Sequence, residues 1–441
     1  MTGRFMGLRL LYNKTDITAD IADLIESVSY TDCASSDSDS ISVTFDAQDT
    51  KWMQDWMPTT GSTLALTMAS ENWDEEGHHL QLDCGTMILD DLSYSDLPST
   101  YTLGATAKPN DTNFSERSRS NIWKNTSIKR IGATIAARYK LGFAYDGSDY
   151  DIDVAEQNGT DSSFLQDLCK NYGLILKVYN MRIWIYDREQ YKAHVTCTPL
   201  YRGQLKPGTF SWKNSLAQTY TGGDFSYTNQ DKDCDITAKI GTTERTKSLN
   251  RRASSVADAA VQLVADLNDA NHGLTTVSFG SMGHLNLTSA EVFNLVGFGN
   301  MDGNYFIDKI THSFSRGSGY EIQIEASKIY KPFYAADVGG EVKDHADDAG
   351  TDADQEASAE AISDNLKPNA PAGTAVSLNN CPLYAGDNEK AYRSTVSGTY
   401  YLYDGWKASG RYMICNALSR CGATPSEKYV LGWIDESFVT T

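Results

Sequence analysis

The sequence predicts a multidomain α+β chain that is mainly β: two strand-rich domains of barrel or sandwich pattern with a small α+β domain between them, then an acidic linker and a small C-terminal β-barrel. Three observations carry this expectation. The chain has 441 residues, room for about three folded units at roughly 150 residues each. Its 25 tyrosines and 34 glycines favour strands and tight turns over helical bundles. Short apolar stretches alternate at a period of two along most of the chain, and helical spacing replaces them in few places.

The first domain, residues 1–112, rests on alternating strands. In Met1–Tyr12 the apolar run is broken by Arg9 and has no small-residue cleavage site, so it reads as a strand and Sec-dependent export is not expected. Ile41–Phe45 and Thr63–Met68 alternate on either side of Pro58 and Gly61, and Thr86–Leu92 and Tyr101–Leu103 continue the pattern. From Thr126 the period changes, which opens the second domain, residues 113–190. Ile128, Ile131, Ile135, Ala136 and Tyr139 recur at helical spacing after a Thr/Ser cap, with Gly142 as the stop. A second helix follows Asp161-Ser162-Ser163, sets Phe164, Leu165, Leu168 and Cys169 on one face and ends at Gly173. A hairpin of Leu174–Tyr179 and Arg182–Tyr186 turns at Asn180-Met181. The third domain, residues 191–334, is strand-rich with one helix, capped by Ser254 or Ser255 and closed by Asn271-His272-Gly273. Its strands fall at Thr276–Phe279, Glu291–Val296, Tyr305–Phe314 and Tyr320–Ala326.

Charge separates the remainder. Lys and Arg total 38 against 58 for Asp and Glu, a net charge of −20 that excludes a generally basic surface, so stable nucleic-acid binding is not expected. Residues 335–372 hold ten acids against Lys343 and Lys367, have no aromatic residue, and read as a flexible linker ending at Pro368-Asn369-Ala370-Pro371. Residues 373–441 carry six acids and six bases, so the linker accounts for −8 and the body for −12. In this tail, Gly398–Tyr403 enters a turn at Asp404-Gly405, Arg411–Cys415 pairs back, and Tyr429–Ile434 closes a small barrel. Tyr384, Tyr400, Tyr401, Tyr403, Trp406, Tyr412 and Trp433 are many aromatic rings for so small a core. They either line a groove that stacks on sugar or peptide or pack and pair across strands.

Chemistry-bearing motifs are sparse. Gly297–Gly303 has the glycines of a dinucleotide loop but is followed by a strand, so a hairpin turn at Asp302-Gly303 is expected instead. Glu75, His78, His79, Asp83 and Cys84 are metal-ligand types, yet adjacent histidines on extended chain point to opposite sides, and no metal site or cofactor is expected. The eight cysteines, Cys33, Cys84, Cys169, Cys197, Cys234, Cys381, Cys415 and Cys421, form no CxxC pair. Cys381, Cys415 and Cys421 of the tail and Cys169 on a helix face read as small buried hydrophobes, and the scatter of all eight fits synthesis in a reducing compartment. Histidine is absent after His345 and no Gly-x-Ser-x-Gly elbow occurs, so no catalytic residue is assigned and the chain is not expected to be an enzyme. The N-x-S/T triplets at Asn13, Asn110, Asn113, Asn125, Asn158 and Asn286 read as turn chemistry. No stretch reaches the roughly 18 apolar residues of a membrane helix.

In order, these segments resemble the late control gene D protein family, the baseplate hub proteins of contractile phage tails and tailocins, related to the hub part of type VI secretion spike proteins. The likeness runs from Met1 to about Tyr330. It is carried by Tyr30-Thr31-Asp32, Asp39–Asp46, Pro58–Ser62, Gly85–Asp91 and Leu97–Tyr101 in the first domain. Arg117-Ser118-Arg119-Ser120 with Trp123, Ile128–Tyr139, and Gln157–Leu168 with Gly173 carry it in the second. Gly299–Ile307, Ile310-Thr311-His312 and Gly319–Glu325 carry it in the third. The tail resembles a bacterial SH3-like module ending in Gly432-Trp433-Ile434-Asp435.

The resemblance implies a homotrimer in which two tube-forming barrels per subunit make a pseudo-sixfold ring, joining a central spike protein below to the tail tube protein above, among other baseplate proteins. It implies a virion or phage-tail-like particle as the location, with synthesis in the bacterial host cytoplasm. Part of the body's acidic surplus is expected to line the lumen and repel passing DNA. The SH3-like module is expected to bind peptidoglycan or a baseplate partner. The alternative is a tail-associated peptidoglycan hydrolase or peptidase anchored by that module.

Overall fold

Strand alternation in the first hundred residues produces a run of antiparallel strands, and long-range pairing then joins it to strands from the far end of the body. The computed structural model describes residues 4–344 and 373–439, apart from 36–37, 49, 74–75, 110–111, 194–197, 231, 284, 385–393, 409–410, 419–420 and 422–429. Of the predicted linker 335–372, residues 345–372 thus lie outside the described residues. The chain divides into two units, Met1–Ala346 and Asp347–Thr441, and it is mainly β with α+β character, as predicted.

The first segment holds β1 (Phe5–Tyr12), β2 (Thr15–Asp16), a one-turn α1 (Thr18–Ile21), β3 (Ile25–Cys33), β4 (Ser40–Asp46), β5 (Thr63–Glu71), β6 (His79–Ser95) and β7 (Thr100–Thr106). Period two decides which face is buried: Ile41, Val43 and Phe45 of β4 and Leu64, Leu66 and Met68 of β5 turn inward. Sequence periodicity placed one strand at Thr86–Leu92, whereas β6 runs unbroken for 17 residues. It pairs with β5 through its first half and β7 through its second. Gly85, at φ 77, and a bulge between Leu89 and Asp91 let it bend between the two partners.

Next come α2 (Asn113–Glu116), β8 (Ser118–Ser127), α3 (Ile128–Arg138), β9 (Gly142–Asp146), β10 (Asp151–Thr160), α4 (Asp161–Asn171), β11 (Leu174–Tyr179), β12 (Arg182–Asp187) and α5 (Arg188–Lys192). Ser127 caps α3 by accepting from the N–H of Arg130, and Thr160 caps α4 by accepting from that of Ser163. The predicted stop at Gly142 needs correction. Helix α3 ends in a Schellman turn in which Lys140 takes the left-handed position (φ 55) and the N–H of Leu141 reaches the carbonyl of Ala136, while Gly142 opens β9. Gly173, at φ 73, does end α4. The β11–β12 hairpin turns on Asn180 and Met181 with φ 47 and 55, the double left-handed conformation of a tight two-residue turn.

The rest of the body comprises β13 (Thr198–Tyr201), β14 (Ser211–Asn214), β15 (Gly222–Asn229), β16 (Cys234–Gly241), β17 (Thr246–Leu249), α6 (Val256–His272), β18 (Thr275–Met282), β19 (Val292–Val296), β20 (Gly303–Ser315), β21 (Gly319–Lys328) and β22 (Gly339–Asp344). Ser255 is the cap of α6. Two separate assemblies emerge here. Strands β13, β14 and β18–β21 join β1–β7 in one 13-stranded sheet, because β20 pairs antiparallel with β3 from Lys309↔Cys33 to Ser315↔Ser27. One apolar core accordingly runs from Leu10 to Ala326. Strands β15–β17 and β22 instead make a four-stranded sheet covered by α6, with its own core around Phe225, Ile236, Leu263 and Leu267. Gly223 permits the close approach of that helix, since a Cβ there would lie 2.8 Å from Leu263.

Composition placed Gly339–Asp344 in the linker, yet these residues are strand β22 on the edge of that sheet. An edge strand wet on both sides tolerates Glu341, Lys343 and Asp344, so charge density does not distinguish it from linker.

The C-terminal unit has β23 (Ala375–Leu383), β24 (Ser394–Ala408), β25 (Arg411–Cys415) and β26 (Gly432–Asp435), hydrogen-bonded in that order. The expected turn at Asp404-Gly405 is corrected: β24 continues through it, a register shift between Leu402 and Lys407 absorbs the excess residues, and Ala408 pairs with Arg411. Backbone hydrogen bonds of 2.9 Å in both directions between Tyr384 and Trp433 tie the end of β23 to β26.

Candidate functional site

The body concentrates its buried charge where its three β and α+β segments meet. Lys177 on β11 points out of its own lobe, and its ammonium is in ion contact with Asp32 at the end of β3. It also lies 3.2 Å from Asp39, 2.8 Å from the Cys33 carbonyl and 3.1 Å from Ser289 Oγ. Asp32 accepts from the N–H and hydroxyl of Ser289 at 2.8 and 2.7 Å, and Asp39 accepts from the N–H of Cys33 at 2.9 Å. All three charged groups are buried. Burial works against the Asp32 carboxylate, but the Lys177 charge and the hydrogen bonds hold it below its ordinary value. Burial pushes Asp39 up to about 7, and the neighbouring Asp32 charge adds to this against the pull of Lys177. The cluster therefore pairs one ammonium with one carboxylate and a second carboxyl that is half protonated near pH 7, and it approaches neutrality below that pH. A groove of about 570 Å³ opens beside it, with Tyr30, Tyr179, Trp184, Tyr186 and Tyr191 among its walls.

A second buried carboxylate organises the α+β lobe. Asp161, the first residue of α4, receives Arg119 Nε at 3.0 Å, Arg138 Nη1 at 2.7 and 2.6 Å, the Tyr139 hydroxyl at 2.5 Å and Gln157 Nε2 at 2.7 Å. Trp123 Nε1 in turn donates to Gln157 Oε1 at 3.2 Å. Burial raises the Asp161 pKa, and these donors more than reverse it. Arg119, Trp123, Tyr139 and Gln157, which carry the family resemblance of this segment, thus form one hydrogen-bonded set. Its carboxylate is already fully engaged, which suits it to holding strands and helices in place.

His312 on β20 completes the buried polar groups near the fused sheet. Its ring stacks between Tyr30 and Tyr320, with Nδ1 2.7 Å from the Tyr320 hydroxyl. Burial pushes its pKa down to about 4. An unfolded histidine takes a proton near pH 6.5 that the native ring refuses, so this residue removes stability as pH falls from 6.5 towards 4, about 1.4 kcal/mol per pH unit. Asp39 acts in the opposite sense: the folded carboxyl keeps a proton that the unfolded one releases near 3.8, so its contribution declines as pH rises towards 7. The expected outcome is that His312→Gln steepens the decline of stability with rising pH between 4 and 6.5 relative to the parent protein. Denaturant titrations at several pH values measure it, and a pH-independent difference would remove His312 from the account.

In the C-terminal unit the predicted aromatic set divides. Tyr400 and Tyr412 face the core with Leu402, Ile414 and Ile434. Tyr403 is buried on the opposite face of β24 from Leu402, and Tyr401, half-buried, pairs with Ala375 and Cys415. Tyr384 and Trp433 are brought together by their backbone bridge, with Met413 in register beside Trp433. The side chain of Trp406 lies outside what the structure describes. The sequence-based reading missed Arg411, whose guanidinium lies 3.4 Å from the centroid of the Tyr384 ring. Arg411 and Met413 are two apart on β25, which places them on one face and was the available signal. Cys169, Cys381 and Cys415 are buried as expected, whereas Cys421 is half-exposed against expectation; Cys33, Cys84 and Cys234 are buried too, and Cys197 lies outside the described residues. Of the metal-ligand types noted above, Glu75 lies outside the described residues, His79 sits 3.8 Å from Glu71, and Cys84 is buried.

No protein-family model matches the chain, and no curated protein is similar to it at a significant level. Its fold is similar to that of the 43 kDa tail protein of prophage MuSo2 from Shewanella oneidensis, with a TM-score of 0.54 and 12% identity over 74% of this chain and 98% of that one. It is likewise similar to the tail protein from Neisseria meningitidis MC58, with a TM-score of 0.55 and 11% identity over 73% of this chain and 96% of that one. At such identities the likeness is one of fold, and about a quarter of this chain extends beyond both.

Proposed function

We propose that the chain is a structural hub protein of a phage tail or phage-tail-like injection particle, in which it trimerises around the tail axis between spike and tube. The observation that carries the proposal is the fold shared with two tail proteins covered almost from end to end. The physical design agrees with that role. A ring that transmits force must not hinge between its β segments, and here they share one sheet and one core. Lys177 adds a buried charge contact between the α+β lobe and that sheet. The hydrogen bonds and ion pairs that engage Asp32 and Asp161 fit a role in holding the segments of the body together. We assign the C-terminal unit as an SH3-like module whose exposed-side cluster of Tyr384, Arg411, Met413 and Trp433 meets cell wall or a baseplate partner.

Native mass spectrometry of the purified full chain at micromolar concentration tests the trimer: three copies per particle are expected, and a persistent monomer contradicts it. For the C-terminal unit, full-length protein is expected to co-sediment with purified peptidoglycan, and Trp433→Ala is expected to lower the bound fraction about tenfold, the loss of one buried aromatic contact. Equal sedimentation of the two proteins would remove the Trp433 face as the contact.

A further inference from the structure

In the C-terminal unit the sulfurs of Cys415 and Cys421 lie 3.2 Å apart, both as free thiols. Cys415 ends β25 and is fully buried, whereas Cys421 is half-exposed at the end of the turn that follows it. The N–H of Cys421 donates to the Leu418 carbonyl, and both thiols lie within reach of the Ala417 carbonyl, at 3.5 and 3.7 Å. A disulfide requires sulfurs at about 2.05 Å, so the two need to close by little more than an ångström, within a turn that already presents them to each other.

We propose that Cys415 and Cys421 are a redox-convertible pair that closes into a disulfide and fastens the turn after β25 to the sheet. A small-molecule disulfide such as oxidised glutathione is the oxidant. The exposed Cys421 thiolate attacks one glutathione sulfur, the glutathione S–S bond breaks, and the departing thiolate takes the proton that Cys421 released. The Cys415 thiolate then attacks the Cys421 sulfur of the mixed disulfide and expels the second glutathione thiolate, which takes the Cys415 proton. Two protein thiols are oxidised and one glutathione disulfide is reduced to two thiols. The asymmetry of exposure sets the order, since only Cys421 is open to solvent. The timing of closure rests on the tail-particle reading: glutathione keeps such thiols reduced in the cytosol, and release of the particle removes that protection. The chemistry itself does not depend on that reading.

The test uses purified full-length protein incubated with excess oxidised glutathione, one part weighed intact after acid quenching and one part trapped with iodoacetamide for peptide mapping. A loss of about 2 Da, mapped to a Cys415–Cys421 link that dithiothreitol reverses, is expected. Burial and the neighbouring Cys415 push the Cys421 thiol up to about 11, so the rate is expected to rise about tenfold per pH unit between pH 7 and 9. Cys415→Ser is expected to leave a stable glutathione adduct on Cys421, and Cys421→Ser to leave Cys415 unmodified. A lasting adduct on Cys421 of the unmodified protein, or two thiols still alkylated by iodoacetamide at pH 9, overturns the proposal. Either result leaves the trimer measurement, and with it the hub reading, untouched.

Discussion

Lys177→Met is expected to destabilise the body by about 3–5 kcal/mol at pH 8, the cost of leaving buried carboxylates without their counter-charge. Asp32 and Asp39 are buried in the parent protein, and without the ammonium both must hold protons to remain so. Their folded pKa values then stand above the unfolded ones, and stability is lost as pH rises. The loss is therefore expected to shrink on going from pH 8 to pH 5. The two aspartates also predict a pattern of non-additivity. Asp32→Asn and Asp39→Asn each leave one carboxylate to balance Lys177 and are expected to cost about 1–2 kcal/mol, whereas the double variant strands the lysine and is expected to cost as much as Lys177→Met. Denaturant unfolding of the four proteins at the two pH values measures this. Additive losses, or a Lys177→Met loss that is the same at pH 5 and 8, would mean that the cluster does not act as one charge-balanced unit.

Asp161→Ala is the second large effect, with an expected loss of roughly 3 kcal/mol. Arg119 and Arg138 are 27% and 30% exposed on their side chains and turn to water when the carboxylate is gone, which discounts the ion pairs. The cost falls mainly on buried Gln157, whose amide loses its acceptor, and less on buried Tyr139, whose hydroxyl keeps the Asn113 carbonyl at 3.2 Å. Because the folded pKa of Asp161 lies below its unfolded value, its contribution is present above about pH 4 and disappears as pH falls through the folded value. The gap between parent and variant is accordingly expected to narrow at pH 3. Hydrogen exchange should show the loss first in α3, α4 and the β8–β10 pair, and a uniform loss over the whole body would contradict the local role.

Local chemistry was legible where a few neighbouring residues decide it. The caps at Ser127 and Ser255, the stop at Gly173 and the turn at Asn180-Met181 depend on contacts within one or two turns of chain. What escaped is long-range. The sheet is fused through β3 and β20, whose Thr31 and Thr311 hydroxyls meet at 3.1 Å across 280 residues, and period two says only which face of a strand is buried. Nothing around Lys177 in the β11–β12 hairpin pointed to Asp32, 145 residues upstream. Asp161 looked like the start of a helix, and nothing in its neighbourhood announced Arg119 on a strand 42 residues away. The separate lobe of β15–β17, α6 and β22 was hidden inside strand-rich sequence, since its last strand returns from beyond β21. In the tail, composition counts rings but does not sort them, and the register of β24 and β25 decides that Tyr400 and Tyr412 face the core.

The central claim is that this chain forms a threefold ring on the axis of a tail. Cryo-electron microscopy of purified particles carrying the chain tests it most directly: three copies are expected around the axis between tube and spike, with the 13-stranded sheets packed edge to edge around a lumen. Particles in which the chain sits off the axis, or in a number other than three, would contradict it.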